Sequence, residues 1–155
     1  MIDNNVFLEQ LSKYYALWQE YNYVYEEWAK VHGMTVNSLL ILYAIYEGGD
    51  DCTQKKISQR WMIPKQTTNM VLKDFEKNGL VELLPMSKDK RNKAIRFTNT
   101  GKEYAGIIIS KLRKVELFVI EEIGIERMTQ LNNNMALFIE LFRKAGGDKN
   151  NETNI

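Results

Sequence analysis

Four basic side chains, Lys88, Lys90, Arg91 and Lys93, fall within six residues of the stretch SKDKRNKAIRFT (87–98), with Asp89 among them. The chemistry open to such a cluster is to hold a polyanion, since each base can neutralise a phosphate and displace its counterion. An outward-pointing Asp89 would repel phosphate; paired with Arg91 it would instead hold the guanidinium in one orientation. A second group lies upstream. In a helical projection of residues 64–79, Thr68, Val71, Leu72 and Phe75 share one face, and Lys65, Gln66, Thr67, Asn69 and Lys73 lie on or near the other. Gln can form paired hydrogen bonds to adenine, a Thr methyl can contact the thymine methyl, and Lys can reach guanine or phosphate. Lys55, Lys56 and Lys73 suit contacts to the nucleic-acid backbone, which position without reading sequence. Taken alone, a basic run at a turn is most often solvated surface.

The charge distribution reverses that reading. The chain has 21 Lys+Arg against 20 Asp+Glu, a net charge of +1, yet the charge is sorted along it. Residues 1–52 carry −6, residues 53–102 carry +8 and residues 103–155 carry −1. A solvated surface without a partner has no reason to place its bases in one block, so a polyanion is the leading partner.

Other chemistries find little material. There is no G-x-x-x-x-G-K-[ST], G-x-G-x-x-G or H-E-x-x-H pattern, and a Ser-His-Asp site would have to use His32, the only histidine, with no local pattern to support it. One histidine and one cysteine, with no C-x-x-C pair, do not make a transition-metal site, so neither an enzyme nor a cofactor is expected. Cys52 has no partner for an intrachain disulfide; Asp50 and Asp51 beside it disfavour the thiolate, while a following helix start favours it. His32, near a helix end, reads as a cap or surface group. The segment MIDNNVFLEQ has neither a basic nor an apolar signal region, and the longest apolar run, LLILYAIY (39–46), is eight residues. A membrane helix needs about 20. The expectation is a cytoplasmic protein with no membrane contact.

The elements that must position these residues follow from periodicity. Phe7, Leu11, Tyr14, Trp18, Tyr21, Tyr25 and Trp28 form a near-heptad apolar stripe, which predicts a long helix ended by Gly33. Thr35 caps a second helix that stops at Gly48-Gly49, and Thr53 caps a short third over 54–61. Pro64 fits the first position of the fourth, with Gly79 as its C′ residue. The segments 80–85 and 94–98 then read as two strands of a hairpin. Thr100-Gly101-Lys102-Glu103 matches a capping box at the start of a helix with Tyr104, Ile108, Leu112, Val115 and Val119 on one face. Gly124 interrupts it, and a last helix carries Met128, Leu131, Met135, Phe138 and Phe142. Residues 146–155 read as a polar, disordered tail. The fold class is therefore mainly α with a small β wing: a helix-turn-helix at about 53–78 and a wing at about 80–98, between long helices with apolar stripes.

At these residues the sequence resembles the MarR family of transcriptional regulators, over nearly the whole chain to about residue 145. The family's wing pattern D-x-R, strand, L-T-x-x-G is matched by Asp89-Lys90-Arg91 and Phe97-Thr98-Asn99-Thr100-Gly101, with Phe97 in place of Leu. Its recognition segment T-V-x-x-x-L-x-x-L-E-x-x-G-L-V is echoed by Thr67-Thr68, Val71, Phe75-Glu76 and Gly79-Leu80-Val81, and its T-Q-x-x-L by Thr53-Gln54 and Ile57. Two departures stand out: Met62 occupies the tight turn where Gly is frequent, and Pro64 stands where a Ser or Thr cap is usual.

The resemblance implies a winged helix-turn-helix region (34–99) flanked by dimerisation helices (1–33 and 100–145). It implies a homodimeric DNA-binding regulator, more often a repressor, on a pseudo-palindromic operator of double-stranded DNA. Base reading would fall to Gln66, Thr67 and Asn69 with Lys65 assisting. Arg91, oriented by Asp89, would enter the minor groove, and Lys55, Lys73, Lys88, Lys90 and Lys93 would hold phosphates. It also implies a pocket for a small aromatic effector, for which Trp18, Tyr21 and Tyr43 are the candidate wall; aromatics at helical spacing are more often core or interface. The rival reading is a winged-helix module that docks another protein and binds no DNA.

Overall fold

The computed structural model describes residues 4–49, 52–85 and 93–147. Its elements are α1 (Asn4–Val31), α2 (Val36–Gly48), α3 (Gln54–Trp61), α4 (Lys65–Lys77), β1 (Val81–Pro85), β2 (Lys93–Phe97), α5 (Asn99–Ile123) and α6 (Ile125–Gly147). The predicted class holds: the protein is mainly helical, with a two-stranded antiparallel wing. Its contacts divide the chain into two compact units, Met1–Ile109 and Ser110–Ile155.

The first unit is built around α2. Leu39, Ile41, Leu42, Ala44 and Ile45 are all buried, so this helix is apolar nearly all round, as a helix enclosed by neighbours must be. Thr35 starts it as expected, its Oγ1 accepting from the amide of Ser38 at 3.1 Å. α1, α3 and α4 pack on α2, and Ala29, Ile57, Val71, Leu72 and Phe75 add to the helical part of the core, as do Ala105, Ile108 and Ile109 from the start of α5. On α1 the apolar stripe is only partly used: Tyr14, Tyr25 and Trp28 are half-buried, while Phe7, Leu11, Trp18 and Tyr21 are exposed.

Thr53 caps α3 by accepting from the amide of Lys56 at 3.3 Å. Met62 then turns the chain in a left-handed conformation (φ 51, ψ 30), doing the work usually given to Gly. Pro64 is the N-cap and not the first helical residue of α4. Its ψ of 139 is still extended and it contributes no side-chain cap bond, so the helix begins one residue later than expected.

At the other end of α4, Gly79 takes φ 68. The amides of Gly79 and Leu80 bond back to Glu76 and Phe75 at 3.0 and 2.8 Å, which satisfies carbonyls the helix end leaves open.

The wing pairs Val81 with Phe97 and Leu83 with Ile95 in register, and its buried Val81 and Ile95 face the core. It is fastened to the start of α3: Thr53 bridges Ala94, and the Ile95 amide donates to the Cys52 carbonyl at 2.8 Å. The hairpin's base is thus fixed to the helix-turn-helix. The predicted α5 cap at Thr100 is corrected by two residues: Thr98 Oγ1 accepts from the Gly101 amide at 2.9 Å, and Asn99 is already helical.

In the second unit, α5 runs on to Ile123, Gly124 breaks the helix, and α6 follows. Leu117, Phe118, Leu131, Phe138 and Phe142 are exposed there, and Phe138 stacks on Phe142 with centroids 6.2 Å apart. The last helix extends through Gly147, past the expected end at 145. Positions 148–155, where a tail was expected, lie outside the described residues.

Candidate nucleic-acid interface

α4 is amphipathic because its apolar residues recur at three and four positions. Thr68, Val71, Leu72 and Phe75 are buried against the core. The opposite face therefore has to meet solvent or a partner. Lys65, Gln66, Asn69 and Lys73 are exposed on it, and Thr67 is half-buried at its edge. Two acids, Asp74 and Glu76, enter only in the second half of the helix, so the N-terminal half is the one suited to an anionic partner. Its first turn leaves backbone amides without a side-chain cap, and the helix dipole there favours negative charge.

Met70 was not anticipated by sequence reasoning. It is 64% exposed and lies one turn beyond Gln66, on the outward face of α4. Methionine carries no charge or hydrogen-bonding signature, so only the helix rotation reveals it. An apolar side chain there can contact a thymine methyl as Thr would.

Lys55 is exposed on the first turn of α3 and Lys65 on the first turn of α4. Between them lies an open depression whose lining includes Ser58, Gln59, Met62 and Pro64. Lys93 begins β2, exposed and opposite Pro85. Arg96, also exposed on β2, lies across the ladder from Glu82, which offsets its charge. The remaining wing candidates, Lys88, Asp89, Lys90 and Arg91, lie outside the described residues. The structure thus assembles Lys55, Lys65, Gln66, Thr67, Asn69 and Lys73 on the helix-turn-helix, with Lys93 on the wing that is fastened to it.

The aromatic candidates are arranged differently. Trp18 and Tyr21 are exposed on α1, with Tyr21 against Tyr25 at 5.3 Å. Tyr43, half-buried on α2, meets Trp61 of α3 edge-on at 6.2 Å. The Trp61 indole N–H is buried and has no hydrogen-bond partner among the described residues. Arg60 lies over the Trp61 ring and is ion-paired with Glu47.

His32 closes the end of α1. Its Nδ1 donates to the Trp28 carbonyl at 2.8 Å, and its ring stacks on Trp28. Cys52 is buried, with its thiol pushed up to about 11 by desolvation against a smaller opposing pull from Lys56. Such a thiol is a poor nucleophile at neutral pH. Among the described residues no group of His, Cys, Asp and Glu could hold a metal, and no helix is long and apolar enough to cross a membrane.

Comparison with known proteins agrees with this geometry. A sequence model described as the MarR family matches residues 32–92, the region from the end of α1 into the wing. The HTH-type transcriptional regulator SarZ of Staphylococcus aureus is 27% identical over 141 residues, covering 89% of this chain and 92% of SarZ. Among solved structures, NMB1585, a MarR family regulator from Neisseria meningitidis, superposes with a TM-score of 0.78 at 27% identity. It covers 90% of this chain and 97% of its own. Staphylococcus aureus MarR in complex with salicylate and kanamycin gives 0.69 at 25% identity, covering 90% and 93%.

Proposed function

We propose that this chain, a member of the MarR family of winged-helix transcriptional regulators, is a homodimeric repressor that reads a pseudo-palindromic DNA operator and leaves it when a small aromatic effector binds. The observation that carries the DNA-reading part is the N-terminal half of α4. Its outward face offers Lys65, Gln66, Asn69 and Lys73 while its other face is locked in the core. That half-helix enters the major groove, where Gln66 and Asn69 pair with base edges and Thr67 and Lys65 flank them. Lys55, Lys73 and Lys93 hold phosphates on either side. The wing sequence adds Lys88, Lys90 and Arg91, with Arg91 held by Asp89 for insertion into the minor groove. Two such units related by two-fold symmetry would read half-sites about one helical turn, roughly 34 Å, apart.

The effector part is supported by the salicylate bound to the related MarR and by the indole N–H of Trp61, beside Tyr43; that N–H is buried and has no hydrogen-bond partner among the described residues. A carboxylate is the natural acceptor for that donor. Trp18 and Tyr21, exposed on α1, are the further aromatic surface proposed for it.

The test is selection from a random duplex pool, followed by fluorescence anisotropy of the selected site against scrambled DNA. A two-fold symmetric site should emerge. Its affinity should fall on the order of a thousandfold between about 50 and 200 mM salt if about six phosphates are held. Arg91→Ala should weaken it by about 1–3 kcal/mol. No enrichment, with binding insensitive to salt, would replace the regulator with the rival reading, a winged helix that docks protein.

A further inference from the structure

The first turn of α4, which carries the proposed base-reading residues, lacks a side-chain N-cap. Three side chains of the helix-turn-helix hold it instead. Gln54, the first residue of α3, donates from Nε2 to the Lys65 carbonyl at 3.1 Å. One turn further along α3, Ser58 Oγ lies 3.0 Å from Thr68 Oγ1, and Thr68 Oγ1 lies 3.2 Å from the Pro64 carbonyl. A carbonyl only accepts, so the Thr68 hydroxyl donates to Pro64 and Ser58 donates to Thr68. The Ser58–Thr68 link is buried, Thr68 completely, while the Pro64 carbonyl lies toward the surface.

An apolar pair of similar size would fill the same space with no risk of an orphaned hydroxyl. The hydroxyl chain adds geometric selection. Apolar contacts tolerate small slides and rotations of one helix on another, whereas a buried hydrogen-bonded chain is satisfied in one arrangement and is costly in its neighbours. Gln54 holds the carbonyl at the very start of α4 and Thr68 holds the helix three residues later, so both axial position and rotation are set.

We infer that Gln54, Ser58 and Thr68 form a clamp that fixes the register of α4 on α3, making them positioning residues for base reading by Gln66 and Asn69. The inference rests on the DNA-binding reading above.

The experiment compares wild type with the double variant Ser58→Ala, Thr68→Val, which removes both hydroxyls together and leaves neither unpaired. Affinity for the selected operator and for scrambled DNA is measured across salt. The operator-to-scrambled ratio should fall about tenfold, the discrimination given by a good bidentate base contact. The salt slope should not change, because no phosphate contact is removed. Thr68→Ser, which keeps the hydroxyl, should hold the wild-type ratio. A folded double variant with the wild-type ratio overturns the clamp. If the double variant does not fold, Gln54→Leu, at a half-exposed position, carries the same comparison, and an unchanged ratio again overturns it. If wild type itself binds neither DNA, the regulator reading has failed and the clamp is judged without DNA. Amide exchange at Thr68, whose amide bonds back to the Pro64 carbonyl, and at the following Asn69 should then accelerate about tenfold in Gln54→Leu, and unchanged exchange overturns it.

Discussion

Cys52 sits at the passage from α2 to α3, with its backbone carbonyl held by Ile95 and its thiol buried against Gly48. The sequence left its behaviour open, because acidic neighbours and a helix start pull in opposite directions. Burial settles it: desolvation outweighs the Lys56 charge and raises the thiol to about 11. The native state therefore holds the thiol proton to higher pH than the unfolded chain, whose value is near 9. Stability from this group is complete below pH 9 and is lost as pH rises toward 11. Urea unfolding of wild type should lose about 2 kcal/mol more across that window than Cys52→Ala does. Parallel curves for the two proteins would mean that the thiol ionises without resistance. Met62 teaches a related lesson. Its left-handed backbone was foreseeable only from the position of the turn, since Met is 86% exposed there and no local pattern marks it.

At the scale of elements, Thr98 is the residue on which several join. Its Oγ1 accepts from the Gly101 amide and donates to the Gly79 carbonyl at 2.6 Å, while its own amide bonds to Leu80. One side chain thus ties the end of α4 to the start of α5. The sequence pointed to Thr100 because T-x-x-E is a complete local pattern, whereas the bond that selects Thr98 comes from Gly79, 19 residues away. Thr98→Ala should cost about 1–2 kcal/mol by thermal or urea unfolding, and Thr100→Ala less than about 0.5. Equal effects would restore Thr100 as the cap.

The same junction requires Gly101. A Cβ there would lie 1.8 Å from the Leu80 carbonyl oxygen, so α5 can approach the backbone leading into β1 only without one. The number and order of the helices, the caps Thr35 and Thr53 and the buried face of α4 were legible in the sequence, because periodicity and capping are local; the starts of α4 and α5 and the end of α6 were each missed by one or two residues. The Ser58–Thr68 bond and the outward placement of Met70 were not, because they depend on how α3 and α4 are rotated.

For the whole molecule, the proposed dimer is the step on which operator symmetry depends. Within the second unit, α6 exposes Leu131, Phe138, Leu141 and Phe142 along its length, with Phe138 and Phe142 stacked. Apolar burial contributes about 25 cal/mol per Å². A specific self-complementary interface has about 800 Å² on each partner, and well-packed aromatic anchors at its centre, rather than area alone, offset the freedom lost on association. Joining two reading helices in one particle also makes the second half-site contact intramolecular, which raises affinity without any new base contact. Sedimentation equilibrium should accordingly give twice the 18.2 kDa chain mass. The double variant Phe138→Glu, Phe142→Glu should sediment as a monomer with its far-ultraviolet helicity intact, because both side chains are exposed on their own chain. Operator affinity should fall at least about a hundredfold in that variant, while affinity for scrambled DNA falls much less. A variant that remains dimeric would remove this stretch of α6 from the interface. A monomeric variant that still binds the full operator like wild type would show that one winged helix reads the site alone, and the two-fold symmetry of the operator would then need another cause.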